Sequence, residues 1–493
     1  MQESDESGVI QFEIIAKKSV KGIFALTSRT FLIQILSIVT SIILSIYLSP
    51  ATFGVFFVVS AIVVFLKYFQ DIGLAASLIQ KKKDPTVIEL RSTFFIQQLL
   101  VLGVTIPAII FAKQIAHFYK LDFDGLILLY ALLFSFIASS LKTIPTILLE
   151  RKLEFNKLVL PEIVENIAYN VCLIVLAVLG LGIKSFTVAV LARSILGLIV
   201  IYWIQPWPIG IALNKKSIKQ LLTFGIPFQA NSFLALFKDN LFDLYLAKVL
   251  TATQLGYVGF SQKWAYMPLR LFMDNIIKVT FPSFSRLQHD KHALGRAIEK
   301  TLFLTSTVMI PTVVIIVLFS PYLVAFFPEY NKWEPAILSL TFFSLSTVMS
   351  SLSTPLTNIL NAIGKVKITL YFMIFWTILT WVISPLFIVL YGYNGVALAS
   401  FIISLSSVLV FFIARSFVSF KIIKPLFPSF AAGIAMFVFT LFTQNIILNV
   451  PLLILGVFLS SLFYVSVLYL LAKNEIHKTI TFVRVSVKKE EQK

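Results

Sequence analysis

Lys67-Tyr-Phe-Gln-Asp71 and, about two hundred residues later, Arg270-Leu-Phe-Met-Asp274 each set a cation and a carboxylate four residues apart inside otherwise apolar sequence. That spacing is one helical turn, so acid and base share a helix face. A charge at bilayer depth costs about 2.5–3.5 kcal/mol on insertion scales, and such groups face a bundle interior or a wet cavity. Two such pairs, at matching places in two halves of the chain, predict one central polar chamber shared by two lobes.

Composition fits that reading. Of the 493 residues 58% are hydrophobic and 13% charged, with a mean hydropathy of +0.93. A soluble domain carries about 25% charged residues, so the chain is an all-α integral membrane protein. The 48 Phe residues suit lipid-facing surfaces and need no cofactor to explain them. A net charge of +18 could suggest nucleic acid, but the charges lie mainly in short loops between apolar runs, where a positive-inside bias puts them. Cys172 is the single cysteine, which excludes an intrachain disulfide and a thiolate metal site. The first apolar run is long and follows Lys17, Lys18 and Lys21, as in an uncleaved anchor.

Runs of about 20 apolar residues predict fourteen spans, at 23–48, 53–79, 92–112, 125–149, 158–180, 184–205, 221–248, 255–280, 301–320, 335–360, 368–390, 394–414, 426–446 and 451–472. Pro107, Pro145, Pro227 and Pro268 interrupt some of them, which neighbouring helices tolerate. The N-terminal tail, the loops after even-numbered spans and the C-terminal tail hold 28 Lys and Arg, against 5 in the other loops. Both termini are therefore expected in the cytoplasm.

The chain also looks duplicated. Lys17-Lys-Ser-Val-Lys21 is echoed by Lys215-Lys-Ser-Ile-Lys219, and Leu48-Ser-Pro-Ala-Thr-Phe-Gly54 by Leu250-Thr-Ala-Thr-Gln-Leu-Gly256; with the charge pairs the offsets are 198, 202 and 203. Six spans per unit is even, so the repeats are parallel, related by an axis along the membrane normal. The organisation expected is a cytoplasmic segment at 1–22, a first lobe at 23–205, a linker at 206–220, a second lobe at 221–414, two further helices at 415–472 and a basic tail at 473–493.

Ionisable residues inside the spans are confined to the first eight: Arg29, Lys67, Asp71, Lys142, Glu162, Glu165, Arg193, Lys238, Asp239, Asp243, Lys263, Arg270, Asp274 and Lys278. Lys142, Glu162, Glu165 and Lys278 lie near cytoplasmic span ends, where the simplest reading is that they reach water. Arg29, Lys67 and Asp71 lie in the cytoplasmic half, and Lys238, Lys263 and Arg270 deeper. These five cations are the candidate cavity lining. Asp71, Asp239, Asp243 and Asp274 are either their structural partners or ion-coupling acids. Surplus cations fit an anionic ligand: Arg grips phosphate with a bidentate fork and Lys offers a mobile point charge. A pyrophosphate head with an apolar tail is a natural occupant.

An enzyme fits poorly. His117, His289, His292 and His477 all fall in loops or tails, and no Gly-rich nucleotide loop is present. Catalytic residues, a metal and a cofactor are not expected. A membrane polymerase or glycosyltransferase, and a channel, remain weaker alternatives.

From the second span onward the chain resembles a known family. Tyr47-Leu-Ser-Pro-Ala-Thr-Phe-Gly54, Phe69-Gln-Asp-Ile-Gly-Leu74, Ile79-Gln80 and Ser92-Thr93, with the later Trp264-Ala-Tyr-Met-Pro268, Phe281-Pro-Ser-Phe-Ser-Arg-Leu287 and Asn394-Gly-Val-Ala397, look like bacterial polysaccharide transporters. These are the Wzx-type exporters of O-antigen, teichuronic acid or colanic acid in the MOP superfamily. The resemblance implies two six-helix lobes forming a V around a cationic cavity. It implies that an undecaprenyl-diphosphate-linked glycan is flipped across the bacterial cytoplasmic (inner) membrane by alternating access, driven by an ion gradient. Membrane lipid, a polysaccharide polymerase and a chain-length regulator are the implied partners of a functional monomer, with no nucleic acid. A MATE-like cation or drug antiporter is the alternative within the superfamily.

Overall fold

In the computed structural model, residues 30, 32–70, 74–81, 84–214 and 236–491 are described. They are helical, with no strand among them, and divide into two compact units at Gly256/Tyr257. Eleven helical stretches among the described residues are long and apolar enough to cross a membrane. The other three predicted spans coincide with shorter or interrupted helices. These are Leu32–Tyr47, the stretch 236–249, and the stretch 252–287 broken at Pro268. Outward-facing apolar residues such as Val389 (84% exposed) and Phe442 (82%) form the surface that lipid covers. The chain is a multi-pass membrane protein.

In the first unit α1 (Leu32–Tyr47) is followed by α2 (Pro50–Lys67), which starts on a strong local signal. Ser49 accepts a hydrogen bond from Thr52 N at 3.2 Å and Pro50 fills the first turn, where a missing N–H costs nothing. Then come α3 (Leu74–Gln80), α4 (Val87–Ile110), α5 (Ala112–Phe118), α6 (Phe123–Leu141), α7 (Thr143–Arg151), α8 (Phe155–Val178) and α9 (Lys184–Ile204). A capping box between Thr86 and Glu89 opens α4, and Asp122 caps α6 through Gly125 N at 2.7 Å. Leu128, Leu129, Leu133 and Phe136 of α6 are fully buried, and Phe186 of α9 stacks on Phe56 of α2 at 4.2 Å.

The segment after α9 is strapped to α4. Arg91 Nε donates to the Pro208 carbonyl at 3.0 Å, Ser92 Oγ accepts from Asn214 N at 3.2 Å, and Trp207 packs edge-on to Phe94. A π-helical turn (Leu236–Asn240) then leads into α10 (Leu241–Val249), and α11 (Ala252–Pro268) crosses the boundary between units.

The start of α11 repeats the start of α2. Thr251 Oγ1 accepts from Gln254 N while Gln254 Oε1 accepts from Thr251 N, so Thr251 caps α11 as Ser49 caps α2. The two helix starts touch reciprocally. A Cβ on Gly54 would overlap the Ala252 carbonyl, and a Cβ on Gly256 would overlap the Pro50 carbonyl. The echo at an offset of 202 is thus a contact between the echoed residues themselves.

Arg151, at the end of α7, closes the exposed end of α3. Its Nη1 donates to the carbonyls of Leu78 (2.7 Å), Ile79 (3.1 Å) and Lys81 (2.7 Å), and Nη2 pairs with Asp84 at 3.1 Å. Hydrogen bonds to a charged group contribute about 1.5–3 kcal/mol each. We expect Arg151→Ala to lower the melting temperature in detergent by several degrees. Arg151→Lys should recover part of the loss, since an ammonium lacks the planar fork. A melt unchanged in Arg151→Ala refutes this account of α3.

The second unit continues α11 through a second π-helical turn (Leu269–Met273) into α12 (Asp274–Leu287). It adds α13 (Lys291–Phe326), α14 (Ile337–Ala362), α15 (Val366–Tyr391), α16 (Asn394–Leu405), α17 (Val408–Phe417), α18 (Ile423–Thr443) and α19 (Val450–Glu491), the last broken at Ala472. Asp290 caps α13, and the Ala293 N–H it accepts holds its carboxyl below the usual aspartate range. Leu294, Ile298, Leu302, Leu356, Val410 and Met436 form the core. Small polar residues of α14 (Ser339, Ser344, Thr347, Ser351) are fully buried, which lets neighbouring helices approach closely. Trp333, also fully buried, stacks on Phe260 at 4.2 Å.

Candidate functional site

Lys67 ends α2 and is exposed. It has no ion pair among the described residues, and its Coulombic neighbours are Arg193 and Lys142, both cations. Arg29 and Asp71 lie outside the described residues, as does the side chain of Asp274. The Lys67/Asp71 and Arg270/Asp274 pairings of the sequence are therefore not described.

The structure gathers a group that the sequence scattered. Lys142 occupies the joint between α6 and α7, and its Nζ bonds Glu165 Oε1 of α8 at 2.5 Å. Arg193 Nε of α9 stands 3.6 Å from Glu165 Oε2, with its guanidinium 5.8 Å from the Tyr169 ring centre. Lys142 and Glu165 do not reach out to water at span ends. Their side chains are 18% and 10% exposed, whereas that of Arg193 is 44% exposed. Gly197 makes room, since a Cβ there would overlap the Glu165 carboxylate.

Hairpin register offered a signal for this cluster. The tight turn at Gly180–Ile183 makes α8 and α9 antiparallel neighbours. Glu165 and Gly197 are each sixteen residues from Leu181, and Tyr169 and Arg193 each twelve. Counting outward from that turn brings the four together. Judging each charge by the distance to its own span end hides them.

The remaining candidates sit on the two π-helical turns or on the helices flanking them. Lys238 and Asp239 lie on the first and pair at 3.4 Å, with half-buried Asp243 one turn on and within Coulombic reach of Asp239. Arg270 lies on the second, exposed, and Lys263, two turns earlier on α11, is exposed and repelled by it. Neither Lys263 nor Arg270 has an ion pair among the described residues. Pro268 has no N–H to give the Trp264 carbonyl, which explains why the helix widens at this point. Such turns are rare and concentrate at functional sites. No group of three metal-ligand side chains occurs among the described residues.

The structure matches the solved structure titled lipid II flippase MurJ, inward closed conformation, with a TM-score of 0.73 and 18% identity, over 90% of this chain and 98% of that one. Residues 43–338 match the model of the family described as polysaccharide biosynthesis protein, and the chain belongs to that family. It is 25% identical over 356 residues, 71% of each chain, to an uncharacterized membrane protein in the cps region of Klebsiella pneumoniae. It is 24% identical over 369 residues, 74% of each, to the lipopolysaccharide biosynthesis protein WzxC of Escherichia coli (strain K12).

Proposed function

We propose that this protein flips a polyprenyl-diphosphate-linked oligosaccharide, such as an O-antigen or exopolysaccharide repeat unit, across the bacterial inner membrane by alternating access. The observation that carries this reading is a set of exposed cations without ion pairs among the described residues, Lys67, Lys263 and Arg270, on helices of a polysaccharide biosynthesis family member. With Arg29 and Lys238 they bind the diphosphate in turn as the protein changes state. Asp71, Asp239, Asp243 and Asp274 balance them or carry the coupling ion. No covalent bond is made or broken. A polymerase and a chain-length regulator receive the product, and the working unit is a monomer.

Reconstitution in liposomes with labelled lipid-linked glycan tests this reading. The expected result is delivery of the glycan to the outer leaflet only in the presence of an ion gradient. Efflux of a cationic dye without glycan flipping would instead make the protein a drug antiporter.

Both termini face the cytoplasm in this reading, with fourteen spans. In a chain whose Cys172 has been replaced, a cysteine at Lys365 should react with an impermeant thiol reagent only in opened cells, and one at Glu329 in intact cells. The reverse pattern inverts the topology.

A further inference from the structure

The Lys142–Glu165–Arg193 cluster has the form of an anion site with an occupant of its own. Glu165 is the buried member, and both its oxygens are held by cations from other helices. Gly197 leaves the space its carboxylate fills. The grip is uneven. Lys142 makes a direct bond, whereas Arg193 stands at ion-pair distance, half exposed, with no hydrogen bond from its terminal nitrogens among the described residues. Lys67 adds a third cation in Coulombic range of the other two. One carboxylate cannot neutralise three cations. A diphosphate diester, with about two negative charges and four non-bridging oxygens, supplies the two charges that Glu165 leaves unbalanced, and Arg engages it through the fork that Glu165 leaves idle.

We propose that Lys142, Arg193 and Lys67 form a diphosphate-binding site, and that Glu165 is its resident counter-ion. Glu165 fills the site when it is empty and yields it when the substrate enters. The choice of a diphosphate rests on the flippase reading above. In the empty state Glu165 spares Lys142 a costly burial without a partner. In the loaded state it competes with the ligand, which keeps binding weak enough for release.

The test is calorimetric titration of inorganic pyrophosphate into purified protein in nanodiscs. Glu165→Gln, which keeps the shape and removes the competing charge, should bind pyrophosphate at least tenfold more tightly than wild type. Arg193→Ala should bind at least tenfold more weakly. The double variant Lys142→Gln/Glu165→Gln should lose the gain. Nanodiscs doped with undecaprenyl diphosphate distinguish a lipid headgroup from a free anion: the lipid should displace pyrophosphate, and failure to do so overturns the headgroup assignment. Unchanged affinity in Glu165→Gln, at an unchanged melting temperature, overturns the resident-anion role. If that variant does not fold, Arg193→Ala decides, because a half-exposed side chain can be cut without a core defect; wild-type affinity there overturns the site. Flipping is assayed separately. Tightening by Glu165→Gln in a protein that flips nothing sinks the flippase reading alone, and flipping with no response in these variants sinks this inference alone.

Discussion

Arg270→Ala is expected to abolish glycan flipping while leaving the protein in the membrane at its normal level. Arg270 is exposed and without an ion pair among the described residues, so its removal opens no cavity and strands no buried partner among them. A charge-assisted hydrogen bond contributes about 1.5–3 kcal/mol, roughly 10- to 100-fold in binding for each one lost. A diphosphate gripped by the guanidinium fork loses two. Arg270→Lys should keep part of the activity, since the charge survives without the fork. Asp274→Asn should be milder than either. A purely structural Arg270–Asp274 staple predicts something else: Arg270→Ala and Asp274→Ala equally damaging, through low abundance. Flipping normalised to immunoblot abundance separates the two, and normal flipping by Arg270→Ala puts the diphosphate elsewhere.

Gly54→Leu should produce the largest loss of folded protein among single substitutions at the helix starts. The atom a Cβ would meet is the Ala252 backbone carbonyl, which cannot swing aside as the tip of a side chain can. Ordinary overpacking costs about 1–3 kcal/mol, and here the cost should be at or above that range because the backbones themselves must part. Gly54→Ala should already be harmful. Gly256→Ala should harm to a similar degree, because the Pro50 carbonyl faces it in the same way. The double variant should cost less than the two singles added, since both open one contact. Gly103→Ala is the control: nothing lies within 4 Å of its would-be Cβ, and an exposed mid-helix Gly→Ala change is neutral or favourable by about 0.5–1 kcal/mol. Melting temperature and membrane abundance are the readouts, and a Gly54→Leu protein as stable as wild type removes the contact from the account.

The fold was largely legible because burial in lipid leaves a coarse mark. Apolar runs of span length predict the helices Val87–Ile110 or Lys184–Ile204 to within a few residues. The rule is blunter where a helix is broken. Around Pro268 the apolar run continues, while the hydrogen-bond ladder changes to a π turn, and hydropathy cannot see a ladder. The echo of Ser49-Pro50 in Thr251-Ala252 was readable as a repeat, but that the copies touch was not, because sequence offsets carry no distance. Arg270 and Lys238 stood out as charges in apolar surroundings, yet their place on π turns left no mark in composition. Lys142 and Glu165 were misread because charges near a span end usually reach water. What overrides that tendency is a partner on another helix, and only hairpin register could reveal it.

The contact between the helix starts follows the rule of a two-fold homodimer. Pro50 meets Gly256 while Ala252, the counterpart of Pro50, meets Gly54, the counterpart of Gly256. Isologous interfaces have this form, in which one patch serves as both donor and receiver. A half-length chain pairing with its own copy would need a single glycine for both roles. Joined in one chain, the two roles belong to separate codons. A mutation at either glycine then changes half of the contact and leaves the other half intact. One substitution can make this joint lopsided, which no dimer of identical halves can achieve.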